Sequence, residues 1–201
     1  MSEFVSERGM HGTCIGVARR ISKNGFEISD TGRKGPGAYF WSYESDAKVA
    51  RDLSIDWWNK KKNEGCFKHY SNPLNGCAVL NCESYIEERV FLDLLDPDMK
   101  EVMQSTILRL MDKNSQGGEE NIESYLSRMA SLFISSLEFD LNVRFKALKS
   151  SVDNVISLNS KKNIYHKLQM MNGRGYPILV VKDVSVIREI HIEEVPKDEC
   201  A

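Results

Sequence analysis

Several things this sequence lacks narrow what it can be. No run of roughly eighteen apolar residues occurs, so no membrane-spanning helix is expected. The opening Met1-Ser-Glu-Phe-Val-Ser-Glu-Arg8 has neither the basic start nor the apolar stretch of a secretory leader. Cysteine is sparse: Cys14, Cys66, Cys77, Cys82 and Cys200 are five, odd in number, scattered and without a Cys-x-x-Cys pair. A disulfide framework and a zinc site are therefore not expected, and reduced cytoplasmic thiols fit best. His69, His166 and His191 lack the spacing of metal ligands, and no metal is expected. Excess charge of one sign is missing as well, with 27 Lys and Arg against 29 Asp and Glu, so no global attraction to nucleic acid or membrane follows. Gly35-Pro-Gly37 is not a Walker loop, because no Gly-Lys-Ser/Thr follows it. What is present, 201 residues of which 41% are hydrophobic, supports a single domain over residues 1–201 with one sizeable core.

Periodicity divides the chain. Residues 13–22 predict a short helix with Ile15, Ala18 and Ile21 on one stripe, stopped by Asn24-Gly25. Residues 26–29 predict a short strand, 31–37 a glycine-rich loop, and Ala38-Tyr39-Phe40-Trp41 an aromatic strand. Ser45 is a candidate N-cap for a helix over 46–62. Strands are expected over 77–82 and 90–95. Helices follow over 98–112 and 119–149, joined through Asn114–Gly118. Residues 177–181 and 184–192 return to strand. The expected class is α+β, with strands at both ends of the chain and a helical insertion at about residues 97–160.

Four short motif pieces carry the chemistry. His11-Gly12-Thr13, Gly25-Phe26, Gly35-Pro-Gly37-Ala-Tyr39-Phe40 and Ser45-Asp-Ala47 follow one another over residues 9–50. In order and spacing this stretch resembles the diphtheria-toxin and poly(ADP-ribose)-polymerase branch of ADP-ribosyltransferases. The resemblance implies a fold of two small facing antiparallel sheets around a cleft for NAD. It implies that His11 and Tyr39 are the catalytic pair. His11 contacts the ribose, Gly12 meets the nicotinamide amide through its backbone, and Tyr39 stacks on the ring. Thr13, Gly25, Phe26, Phe40 and Ile178 complete the expected cofactor contacts. Arg33 and Lys34 in the glycine-rich loop are candidates to meet the pyrophosphate, and Tyr165 and Tyr176 to line the same pocket. These residue types suit the task. A neutral imidazole both donates and accepts, a glycine admits a ligand close to the backbone, and a held substrate lies nearer its reactive geometry.

The chain departs from the family at its third signature, a glutamate on a late strand. That position falls at Pro177 or Ile178, and no Glu occurs from Phe139 to Arg188. A carboxylate beside the forming cation stabilises the transition state. Its absence implies transfer of a single ADP-ribose unit, unless Glu83, Glu87 or Glu88 substitutes. Asp46 stands where the family often has a Ser. The expected function is mono-ADP-ribosylation, from NAD, of a macromolecular acceptor, either nucleic acid or protein. The resemblance and the chain's size further imply a bacterial toxin or anti-phage effector, with a neutralising antitoxin protein as a possible partner. Trp57-Trp58 with Lys60-Lys61-Lys62 tilts the acceptor towards nucleic acid, against a bland reading of a core Trp and a solvated helix end. One alternative is a catalytically inactive module of the same fold that binds NAD, ADP-ribose or a partner. The other, an RNA 2′-phosphotransferase, lacks its paired Arg and second His motif here.

Overall fold

The computed structural model describes residues 2–29, 35–113, 122–152 and 175–200. Seven strands form one sheet in the order β4-β5-β6-β2-β1-β3-β7. They are β1 (Phe4–Cys14), β2 (Ala38–Tyr43), β3 (Cys77–Glu87), β4 (Phe91–Asp93), β5 (Ala147–Val152), β6 (Tyr176–Val181) and β7 (Ile187–Glu194). Among the described residues four α-helices, α1 (Ile15–Asn24), α2 (Ala47–Asn63), α3 (Pro97–Lys113) and α4 (Ile122–Asp140), complete the α+β architecture. The expectation of two separate antiparallel sheets is corrected. β1 and β2 are hydrogen-bonded at Arg8–Tyr43, Gly9–Ser42 and Met10–Trp41, which joins the two halves into one sheet. One pair, β4 with β5, is parallel. Parallel neighbours need a long crossover, and the span holding α3 and α4 supplies it.

Both faces of the central strands are covered. This explains why Cys77-Ala-Val-Leu80 and Ile178-Leu-Val-Val181 are unbroken apolar runs rather than alternating ones. Met10, Cys14, Trp41, Val79, Ile178 and Val180 point to the face packed by α2, α3 and α4, through Leu53, Trp58, Met103, Met129 and Phe133. Phe40, Leu80, Leu179 and Val181 point the other way, against Ile15, Ala18 and Ile21 of α1 and against Phe26. The edges are poor templates for further pairing. β4 is three residues long, and β7 carries Arg188, Glu189, His191, Glu193 and Glu194 in eight.

Boundaries differ from the sequence expectation where local chemistry competes. Gly25 ends α1 at φ +80° and donates its N–H to the Ile21 carbonyl at 2.7 Å, as the Asn24-Gly25 signal predicts. The N-cap of α2 is Asp46 rather than Ser45, its side chain accepting from the Lys48 N–H. Residues 26–29 form no strand of their own; a single bridge links Ser29 to Gly37. The last helix stops at Asp140 rather than running to Lys149, and Ala147–Val152 is a strand. Asn142, at φ 51°, breaks the helical path there. Glu138 then secures the turn, accepting from the Phe145 N–H at 3.0 Å, Arg144 Nη1 at 3.0 Å and Lys182 Nζ at 2.9 Å. The Asn114–Gly118 linker lies outside the described residues.

Candidate active site

The sheet forks at the first motif. Beyond Met10, β1 continues alongside β3 to Cys14–Cys77, while β2, traced back from Trp41, runs alongside β6 to Ala38–Val181. No ladder pairing joins residues 11–14 of β1 to residues 38–40 of β2. His11 is the first residue past the fork, and its side chain bridges it, Nδ1 lying 2.9 Å from the Tyr39 carbonyl oxygen. A carbonyl only accepts, so Nδ1 carries the proton and Nε2 keeps its lone pair. Among the described residues Nε2 has no hydrogen-bond partner. Burial lowers the His11 pKa below its ordinary 6.5, against a smaller raising effect of the Tyr39 carbonyl. The half-buried ring is therefore neutral at pH 7 and fixed in one tautomer. Phe26 and Phe40 wall it edge-on, their centroids 5.5 and 6.0 Å from it.

Two pieces of local packing hold this arrangement. A Cβ on Gly12 would lie 1.8 Å from the Ser54 carbonyl oxygen, so the absent side chain lets α2 sit directly on β1. Ser54 suits that contact, turning its hydroxyl back to the Ala50 carbonyl at 2.8 Å within its own helix. Tyr39 donates its hydroxyl to the Gly35 carbonyl at 2.6 Å, which ties the glycine-rich turn to β2.

The other expected site residues are distributed as follows. Thr13 is buried on β1, opposite Ala78. Gly25 caps α1, while Phe26 and Phe40 are buried beside His11. Alternation along the strands sends the Tyr39 ring to the α2–α4 face and the His11 ring to the α1 face, so backbone joins them and their side chains do not converge. Ile178 is 3% exposed and sits in the core beside Trp41. Arg33, Lys34, Tyr165 and His166 lie outside the described residues. Tyr176 lines a different concavity, a groove of about 460 Å³ at the opposite end of β2, with Tyr43, Glu44, Asp46 and Lys149.

The carboxylates considered as substitutes are remote from the fork. Glu83 faces Arg8, three residues along β3 from the partner of His11, roughly 10 Å away at strand rise, and accepts from Ser6 Oγ at 2.8 Å. Glu87, further along, pairs with Arg89, and Glu88 opens the 3-10 turn that follows. One buried acid was not legible in the sequence. Glu7, 7% exposed, accepts from Lys149 Nζ at 3.0 Å and from Ser42 Oγ at 3.3 Å. Burial alone would lower the Lys149 pKa, but the hydrogen bond and charge of Glu7, with Asp93 and Glu44, outweigh it and raise it. The Trp-Trp-Lys cluster is partly spent internally. Lys60 and Lys61 stack over Trp57 and pair with Glu64, and Lys62 lies over the buried Trp58 ring. Among the described residues no group of three His, Cys, Asp or Glu is placed to hold a metal ion, and no helix is long and apolar enough to cross a membrane. The chain matches no family model, no curated protein and no solved structure.

Proposed function

We propose that this protein is a mono-ADP-ribosyltransferase that uses NAD and modifies a nucleic acid or a protein. The observation that carries the reading is the fork between β1 and β2. From His11 onward β1 keeps its ladder with β3 but has no ladder partner on the side of β2, and a neutral imidazole is fixed there by the Tyr39 carbonyl, its Nε2 an unused acceptor among the described residues. Such a group accepts a hydrogen bond from a ribose hydroxyl without placing a positive charge near a ribose that is itself becoming cationic. In the reaction the bond between ribose C1′ and nicotinamide breaks, nicotinamide leaves with the electron pair, and an acceptor atom bonds to C1′ while losing its proton. Neither Pro177 nor Ile178, the two candidates for the position where the family carries its glutamate, offers a base, so the acceptor loses its proton without help from that strand. This favours a single transfer over chain growth. The same buried Ile178 also favours the second reading, a module that binds NAD or ADP-ribose without cleaving it. On the toxin or anti-phage reading, the partner restraining the activity is an antitoxin protein.

The test is to incubate the full chain with adenylate-labelled NAD and cell extract, following free nicotinamide and macromolecular label. Release of nicotinamide with discrete, unladdered label is expected. His11→Ala should lower transfer by about a hundredfold, the scale of a lost positioning contact, and Tyr39→Ala should lower it by freeing the Gly35 turn that its hydroxyl holds. NAD binding without nicotinamide release selects the module, and full activity in both variants removes the fork as the site.

A further inference from the structure

A second concavity, of about 480 Å³, opens between the C-terminal end of α2, the turn at residues 72–76 and the final 3-10 turn (Lys197–Cys200). Its walls carry two ammonium groups, Lys62 and Lys197, and the side-chain amides of Asn59, Asn72 and Asn75, with Trp58 beneath and no carboxylate in the lining. Glu193 and Glu199 on that side are both held by Arg51, at 2.6 and 2.7 Å, and Asp198, which adjoins Lys197 in sequence, is not part of the lining. Lys60 and Lys61 are paired with Glu64, whereas Lys62 and Lys197 have no carboxylate partner among the described residues. Asn72 and Asn75 likewise leave their side-chain amides without a hydrogen bond there.

The end of α2 does not oppose an anion as a bare helix C-terminus would. The Lys60, Lys61 and Lys62 carbonyls accept from the N–H groups of Glu64, Cys66 and Gly65, at 3.0, 3.0 and 2.9 Å. Trp58 Nε1 is, among the described residues, the one buried side-chain polar atom without a partner, and such atoms ordinarily have one. Asn59 Nδ2 is taken by the Cys200 carbonyl at 3.2 Å and Lys62 lies over the Trp58 ring, so the cleft offers two ammonium groups and the amides of Asn72 and Asn75, with no carboxylate in its lining.

We propose that this cleft is a phosphate-binding site for a phosphomonoester of nucleotide size, independent of any NAD site at the fork. Two lysines recognise the dianion as point charges, asparagine amides supply neutral donors, and the volume falls in the range of about 300–1,000 Å³ usual for small-molecule sites. The probes are inorganic phosphate and uridine 5′-monophosphate, titrated into the full chain while the indole N–H signals are followed by NMR, Trp58 being assigned through Trp58→Phe. The Trp58 signal should shift saturably with both probes, and more tightly with the nucleotide. The exposed double change Lys62→Gln/Lys197→Gln should weaken both by about tenfold or more while leaving the remaining spectrum in place. Equal affinity for the two probes would identify free phosphate as the ligand. Absence of a saturable shift overturns the proposal, as does nucleotide binding that survives loss of both lysines.

Discussion

His11 combines two demands that usually conflict, a half-buried ring and a free acceptor, and the Tyr39 carbonyl reconciles them by accepting a hydrogen bond from Nδ1–H. Because burial lowers its pKa in the fold, the unfolded chain binds the proton more readily. Stability is then complete above the unfolded value of 6.5 and falls as pH drops from there towards the folded value. Urea melts from pH 7 downwards should show this loss in the wild type, and His11→Gln should flatten it; an equal slope in both would assign the effect elsewhere. Gly12 makes the companion case. Its Cβ would have to enter the Ser54 backbone, which cannot rotate away, so Gly12→Ala should cost about 3 kcal/mol. An unchanged denaturation midpoint would mean that α2 does not rest on β1 at that point. The sequence marks Gly12 as a glycine following a His, and that signal does not distinguish room for a ligand from room for a helix. The structure shows the second use.

Elements explain what single residues leave open. β5 brings Lys149 under the sheet to meet Glu7 of β1, with side chains 11% and 9% exposed. Neither residue announces itself: Glu7 sits in a polar N-terminal stretch, and Lys149 ends a run that reads as helix. The pair forms because the span holding α3 and α4 returns the chain as a strand parallel to β4, which no local propensity encodes. Lys149→Met should cost about 3 kcal/mol, because it strands a buried carboxylate, and adding Glu7→Leu should recover most of that loss. A double variant no more stable than the single one would show that the pair contributes beyond mutual neutralisation. Helix ends were more legible. The Asn24-Gly25 stop appears where its chemistry predicts, and the α2 cap moved by one residue because Asp46 presents a carboxylate to the Lys48 N–H.

At the scale of the whole molecule, one sheet serves two cores. Phe133 belongs to the core under α3 and α4, Phe26 to the core under α1, and the strands between them are shared. Loss of either core therefore exposes the backs of the same strands. Phe133→Ala and Phe26→Ala should each lower Tm by about 10 °C, with far-UV and near-UV circular dichroism melting together. Two separated transitions in either variant would mean that the halves fold independently. The fork is a whole-molecule feature in the same sense. It exists because β1 keeps β3 and β2 keeps β6 after their shared pairs end, leaving His11 between them.

The sequence by itself determined the class of the fold, the stop at Gly25, the aromatic strand at Ala38–Trp41 and the apolar face of α1, because each depends on neighbours a few positions away. It also placed the motif residues in order, and with them the proposal of NAD chemistry. Only the tertiary structure decided that the strands form one sheet, that His11 and Tyr39 meet through backbone, that Ile178 is closed inside the core, and that Glu7 and Lys149 pair. Those outcomes depend on which strands become neighbours. Strand pairing joins residues as far apart as Glu7 and Lys149, and it is set by burying both faces of the sheet at once rather than by any local preference.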